Sequence, residues 1–98
     1  MEELISQLKN LRYVVEEIVT DIKSRHNPYQ GLVDVDVLRK SEFIDEPIYN
    51  MLKKLLDLES RIDKKIKYSE SEIEQLLNDI EEVQLHLNIN FYHRLQFF

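Results

Sequence analysis

The sequence predicts an all-α protein, a three-helix antiparallel bundle or coiled-coil hairpin, on two observations. Apolar residues recur at helical spacing in three segments, which we expect as helices at about residues 2–25, 46–67 and 71–97. The 98 residues include one Gly and two Pro, so little interrupts these segments. A chain of this length is expected to form a single helical domain over residues 1–98, with a connection at about 26–45.

The first helix is predicted from a regular apolar series. Its members are four, three, four, three and four residues apart, the heptad spacing of a coiled-coil seam: Leu4, Leu8, Leu11, Val15, Ile18 and Ile22. Pro28 and Gly31 then end the helix near Arg25. Three helices in so short a chain leave apolar surface for a second subunit, so we expect a homodimer. Its first predicted contacts are Leu8, Leu11, Val15 and Ile18.

The connection lacks a clear helical period and is long for a passive loop. Within it, the stretch "LVDVDVL" alternates apolar and acidic residues, which predicts a short β segment in the 30–40 region. A lone strand would need an edge from a second subunit or another protein. The alternative is a short helical turn, capped by Asp34 or Asp36, that carries Val37, Leu38 and Ile44 into the core.

Partner recognition is predicted for this same connection, because long connections often carry functional residues. The candidates are Tyr29, Val33, Asp34, Val35, Asp36 and Val37.

The second and third helices both have predicted start signals. Asp45 is expected to cap the second helix, with Pro47 in its first turn. The third helix is expected to begin at a capping box, formed either by Ser69 with Glu72 or by Ser71 with Glu74. The short break between these helices predicts an antiparallel hairpin.

The end of the chain, "FYHRLQFF", holds four of the nine aromatic residues. Continuing the third helix beyond Leu87 at spacings of four, four and three places Phe91, Leu95 and Phe98 on its apolar series. We therefore expect these three side chains to pack on the first helix or to join the self-association surface. A free docking tail is the alternative.

Charge is unevenly distributed in this acidic chain of net charge −6. The second helix is rich in Lys, whereas Glu70 to Glu82 contains six acids and no base. Phosphate binding normally accompanies a basic domain, so the composition argues against a nucleic-acid partner. The acidic segment permits an alternative function, an inhibitor of the kind some phages encode, in which carboxylates imitate nucleic-acid phosphates.

The residue types exclude several kinds of chemistry. The absence of Cys rules out disulfides and thiolate metal sites, and a single Gly cannot build a phosphate-binding loop. We expect no catalytic residue, no metal and no cofactor. The start "MEELISQLKN" does not resemble a signal peptide, and no apolar run is long enough to cross a membrane, so we expect a cytoplasmic protein. The absence of Ala, with abundant Ile, Lys and Asn, indicates an AT-rich genome.

The chain resembles one family of enzymes. The stretch "LKNLR" early in a compact, Cys-free helical chain is similar to the helical chorismate mutases. The resemblance implies dimers that share helices and cationic side chains that hold a dicarboxylate, in roles that would fall to Arg12, Arg25, Lys40 and Gln84. The chain departs from the family at "PIYNMLKK", which lacks the Arg–Glu pair of the second helix, and at Pro28, which interrupts the first.

Together these features predict a small acidic helical module for protein–protein interaction. As an adaptor, assembly factor or inhibitor it would bind another protein and self-associate, without enzymatic activity. The phosphate-mimicking inhibitor and the chorismate-mutase-like enzyme are the two alternatives.

Overall fold

The computed structural model describes residues 2–25, 29–62 and 67–96, with side chains up to residue 89. These residues form four helices: α1 (Glu2–Arg25), α2 (Asp34–Lys40), α3 (Glu46–Arg61) and α4 (Glu70–Gln96). The all-α prediction is confirmed. The predicted count of three helices is wrong, because a helix forms within the expected connection.

The predicted β segment is also wrong, since the described part of the connection contains α2 and no strand. A lone strand leaves its backbone groups unpaired, whereas a helix pairs them within the segment. The amides of Asp36 and Val37 both donate to the carbonyl oxygen of Val33, at 3.0 and 3.1 Å. The alternative, a short helical turn, is therefore confirmed.

The cap predicted for this turn is not found. Val33 occupies the N-cap position with extended backbone, and no side chain caps the helix. Asp34 and Asp36 lie instead in the first turn, where a negative charge interacts favourably with the helix dipole.

A left-handed residue ends α2 and turns the chain towards α3. Glu42 has φ of 60°, and the amides of Phe43 and Ile44 donate to the carbonyl oxygen of Leu38 at 2.9 and 3.3 Å. The turn brings Phe43 and Ile44 into the core, where they are 2% and 3% exposed. A Cβ atom makes this backbone conformation unfavourable, so glycine suits position 42 better than glutamate does.

We expect Glu42→Gly to raise the free energy of unfolding by up to about 1 kcal/mol, because relief of the left-handed strain exceeds the added entropy of the unfolded chain. Lys40→Gly is the matched control. Lys40 ends α2 with ordinary helical geometry, so glycine there should lower stability by about 0.5–1 kcal/mol. Urea denaturation of both variants measures the two changes, and a loss of stability in Glu42→Gly would contradict the strain at this turn.

The start signals of α3 and α4 are confirmed. The Asp45 carboxylate accepts a hydrogen bond from the amide of Ile48 at 3.1 Å, and Pro47 lies in the first turn. At α4, Ser69 Oγ accepts from the amide of Glu72 at 3.2 Å, and Glu72 Oε1 accepts from the amide of Ser69 at 3.3 Å. Of the two predicted capping boxes, the structure forms the first.

The end of α3 lies earlier than the expected residue 67. The helix ends at Arg61, and Ile62 already has extended backbone with ψ of 131°. No Gly or Pro stands in the sequence to mark this end.

One face of each helix contributes to a single apolar core. α1, α2 and α3 contact one another, and α4 packs against α1 and α3. The short α2 thus takes part in the core as a full element. The buried side chains are Leu4, Leu8, Leu11, Val15, Ile18, Val19, Ile22, Val35, Val37, Leu38, Phe43, Ile44, Ile48, Leu52, Leu55, Leu56, Ile80, Val83 and Leu87.

Candidate interaction surface

α4 carries apolar side chains on two opposite faces. Ile80, Val83 and Leu87 are almost fully buried in the core, whereas Leu85 and Ile89 are 58% and 56% exposed. Residues four apart lie about 40° from each other around a helix, while residues two apart lie about 160° apart. Leu85 and Ile89 therefore lie side by side, on the side away from Leu87. We call this pair the outer face of α4.

The outer face lies on a part of α4 that α3 does not reach. α4 has 27 residues and α3 has 16. The first turns of α3, from Pro47 to Leu55, line a shallow groove with Leu76 and Asp79 of α4. In an antiparallel hairpin, the C-terminal part of α4 therefore extends past the start of α3. At 1.5 Å per residue, α4 is about 40 Å long, close to the longest dimension of the molecule, 43 Å.

The residues of α1 predicted for self-association lie in the protein's own core. Leu8 and Leu11 are fully buried, and Val15 and Ile18 are 1% and 6% exposed. In this fold they have no surface left for a second copy, because the other helices of the same chain cover them. Phe91 and Leu95 lie within α4, but their side chains are outside the described residues, as is Phe98 altogether. Self-association itself stays a prediction.

The candidates predicted for partner recognition lie in different environments. Val35 and Val37 are buried in the core, and Tyr29 is half-buried and packed against it. Asp34 is half-buried in the first turn of α2. Val33 is 62% exposed. Only part of the predicted set is therefore accessible to a partner.

Asp36 has a structural contact. Its carboxylate accepts a hydrogen bond from the hydroxyl of Tyr49 at 2.8 Å, which joins α2 to α3. The ammonium group of Lys53 lies 5.7 Å from the centre of the Tyr49 ring, on the exposed side of α3. A partner that binds Asp36 would have to displace this bond.

Arg12 connects α1 to α3. Its Nε lies 2.6 Å from Glu59 Oε2, and its Nη2 donates to the carbonyl oxygen of Leu56 at 3.0 Å. The Glu59 side chain is only 16% exposed. The guanidinium group thus binds partners within the fold. The resemblance to chorismate mutases implies instead that it would hold a substrate.

The other residues implied by that resemblance do not provide a dicarboxylate site. Gln84 lines a groove between α1 and α4 together with Glu3, Gln7 and Glu81. Two carboxylates in this groove would repel an anionic ligand. Arg25 lies at the end of α1, with its Nε 3.5 Å from Oδ1 of Asp21. Lys40 is exposed at the end of α2.

The acidic segment of α4 is solvent-facing. Glu70, Glu72, Glu74, Glu81 and Glu82 are exposed, and Asp79 is half-buried. The ion pairs among the described residues are Arg12–Glu59, Arg25–Asp21 and Arg61–Asp57, so none of them neutralises this segment. The first half of α4 thus presents an uncompensated negative surface within the described chain.

Tyr13 is an aromatic residue on α1 that is 59% exposed to solvent. Its hydrogen bond to the Glu17 carboxylate, together with repulsion between that carboxylate and a phenolate, raises the pKa of Tyr13 above its usual value near 10. Because the folded pKa is raised, this contact stabilises the fold below the unfolded pKa of tyrosine. The contribution is lost as the pH rises through the folded pKa.

We expect Glu17→Gln to lower the pKa of Tyr13 towards its usual value, because both the hydrogen bond to a carboxylate and the repulsion are removed. Subtracting the ultraviolet pH titration of Tyr13→Phe isolates Tyr13 from the other four tyrosines. Glu16→Gln is the control, since it removes an adjacent exposed acid and should leave the titration unchanged. Equal titrations in both variants would rule out the Glu17 contact.

No group of three or more His, Asp and Glu side chains in the described ranges is placed to hold a metal ion. None of the helices within those ranges combines the length and apolar character that a membrane crossing requires.

The comparisons with known proteins give no relative. No protein-family model matches the chain, and no curated protein or solved structure is significantly similar to it.

The outer face of α4 was not among the sequence predictions. The sequence signal is weak: Leu85, Ile89 and Tyr92 are four and three residues apart, but the same spacing continued in either direction meets polar residues, at Glu82 and Gln96. The stronger apolar series, through Ile80, Val83 and Leu87, lies on the opposite side of α4 and predicts the core face of the helix.

Proposed function

We propose that this chain is a protein–protein interaction module that self-associates through the outer face of α4. The supporting observation is the exposure of Leu85 and Ile89, which are neighbours on a helix whose opposite side is buried in the core. Apolar side chains grouped on one exposed helix face are typical of an interaction surface. An adaptor, assembly factor or inhibitor could use such a module, and its role would be association rather than catalysis.

The expected affinity is modest. Full burial of one Leu or Ile side chain contributes about 1.5–3 kcal/mol, and a symmetric dimer would cover four such side chains, each already partly buried. Lost translational and rotational freedom opposes this gain. A small helix–helix contact of this kind should therefore be weak, with a dissociation constant on the order of millimolar.

Sedimentation equilibrium over a wide concentration range tests this proposal. The wild-type chain is expected to form dimers reversibly, and Leu85→Gln/Ile89→Gln is expected to remain monomeric with an unchanged circular dichroism spectrum. Glutamine keeps good helix propensity and removes the apolar contact. Tyr13→Gln is the control, since it removes an exposed apolar side chain on α1 instead.

Two results would contradict the proposal. One is a wild-type chain that stays monomeric at every concentration. The other is a double variant that associates as strongly as the wild type.

A second candidate is binding to a basic, nucleic-acid-binding protein by imitation of phosphates. The supporting observation is the exposed acidic segment of α4, which no described ion pair neutralises. Such an inhibitor should displace DNA from a basic partner in a manner that salt weakens. Replacing Glu70, Glu74 and Glu82 by Gln should abolish the displacement, whereas Leu85→Gln/Ile89→Gln should not. The reverse pattern would exclude phosphate imitation.

A further inference from the structure

We infer that two copies of the chain pair their α4 helices in antiparallel orientation about the outer face. This inference rests on the proposed self-association and adds the direction of pairing. The occupant of the outer face is then the same face of a second copy, and the charge distribution along α4 determines how the two copies align.

Charge along α4 is divided at the outer face. All six acids of the segment lie before it: Glu70, Glu72, Glu74, Asp79, Glu81 and Glu82. After Glu82 the sequence contains no acid up to its last residue, and it contains Arg94 with His86 and His93. The helix α4 therefore has an acidic first half and a second half whose only permanent side-chain charge is positive.

The two orientations bring these halves together differently. A two-fold axis midway between Leu85 and Ile89 places Leu85 of one copy opposite Ile89 of the other in an antiparallel pair. The same axis brings sequence positions 81–82, which are exposed acids, level with positions 92–93 of the second copy. A parallel pair instead places Glu81 and Glu82 beside the same two acids of the second copy. Acids placed side by side repel each other, so antiparallel pairing is favoured over parallel pairing.

The two orientations differ in how strongly salt should affect dimerisation. Each copy has a net charge of −6, so two copies repel in either arrangement and salt screens that repulsion. A parallel pair adds the facing acids at positions 81 and 82, so salt should strengthen it more than an antiparallel pair. Replacing both acids by Lys brings lysines beside the acid-free half in an antiparallel pair, whereas in a parallel pair it only exchanges facing acids for facing lysines.

The first test measures dimerisation of Glu81→Lys/Glu82→Lys at low salt. We expect it to be about tenfold weaker than in the matched control Glu16→Lys/Glu17→Lys, because acids that face the half of α4 containing Arg94 are replaced by Lys in both copies. The control reverses two adjacent exposed acids on α1 and changes the net charge equally, so the comparison removes the effect of net charge. A parallel pair, in which like charges still face each other, should have similar affinity in both variants.

The second test measures the spacing of the two copies directly. The chain has no Cys, so Asn78→Cys provides a single exposed site on α4 for a spin label. At 1.5 Å per residue, antiparallel pairing about position 87 separates the two labels by about 25–40 Å. Parallel pairing places them within about 20 Å.

The outcomes distinguish this inference from the proposed function. A dimer with a long label distance, and with weaker association in Glu81→Lys/Glu82→Lys than in Glu16→Lys/Glu17→Lys, supports antiparallel pairing. A dimer that is lost in Leu85→Gln/Ile89→Gln, but shows a short label distance and similar association in the two charge-reversed variants, overturns the antiparallel pairing alone. A wild-type monomer overturns the self-association and the pairing together.

Discussion

Replacing Leu38 by alanine is expected to lower the free energy of unfolding by about 2–5 kcal/mol. Leu38 is fully buried in the core, and it belongs to a seven-residue helix that packs against both α1 and α3. The lost transfer energy and the cavity both contribute to the cost. Since a domain of this size has a total stability of about 5–15 kcal/mol, the loss should be visible as a large decrease in the urea midpoint.

Val33→Ala is the matched control for this prediction. Val33 stands five residues earlier in the same connection, and it is 62% exposed at the N-cap of α2. Its truncation should change the free energy of unfolding by no more than about 0.5 kcal/mol. Comparable losses in the two variants would contradict the packing of α2, and a negligible loss in Leu38→Ala would mean that this connection lies outside the core.

Replacing Arg12 by alanine is expected to lower the free energy of unfolding by about 1.5–3 kcal/mol, because Glu59 and the Leu56 carbonyl lose a charged hydrogen-bond donor. Glu59 is only 16% exposed, so water compensates its carboxylate incompletely. A double-mutant cycle with Glu59→Ala should give a coupling energy of about 1 kcal/mol or more, measured by urea denaturation.

The pair formed by Arg61 and Asp57 provides the control. Nη2 of Arg61 lies 2.7 Å from Oδ2 of Asp57, a distance similar to that between Arg12 and Glu59. Both side chains of this pair are mostly exposed, at 69% and 62%. Arg61→Ala should therefore cost no more than about 0.5 kcal/mol. If the two arginine variants were equally stable, the Arg12–Glu59 contact would have no special role in joining α1 to α3.

The elements with regular spacing or a distinct start signal could be predicted from the sequence. The seam from Leu4 to Ile22 predicted a helix that ends near Arg25, and the structure has α1 over Glu2–Arg25. Asp45 and Ser69 marked the starts of α3 and α4, because their side chains can cap only the amides that follow them.

α2 could not be predicted reliably, because its sequence is compatible with two periods. Alternating Val and Asp residues fit a strand, but over so few residues they also fit two turns of helix. The decision is made by tertiary contacts, since α2 closes the core between α1 and α3 and satisfies its own backbone. The end of α3 at Arg61 escaped prediction for a related reason, as no residue there breaks a helix.

The α1 residues predicted for self-association lie in the core, whereas the side chains of Phe91, Leu95 and Phe98 lie outside the described residues. A heptad seam can face a second subunit or the rest of the same chain, and spacing alone does not distinguish the two. In this fold α2, α3 and α4 cover the seam of α1, and the exposed apolar pair is left on α4. Only the three-dimensional arrangement shows that Leu85 and Ile89 are left exposed on α4.

Heteronuclear NMR spectra recorded at increasing protein concentration test whether the chain self-associates through the outer face of α4. We expect concentration-dependent shifts for the amides around Leu85 and Ile89, and constant positions for those around Tyr13 on α1 and Val33 before α2. Shifts that cluster around Tyr13 or Val33 instead, or spectra that do not change with concentration, would contradict it.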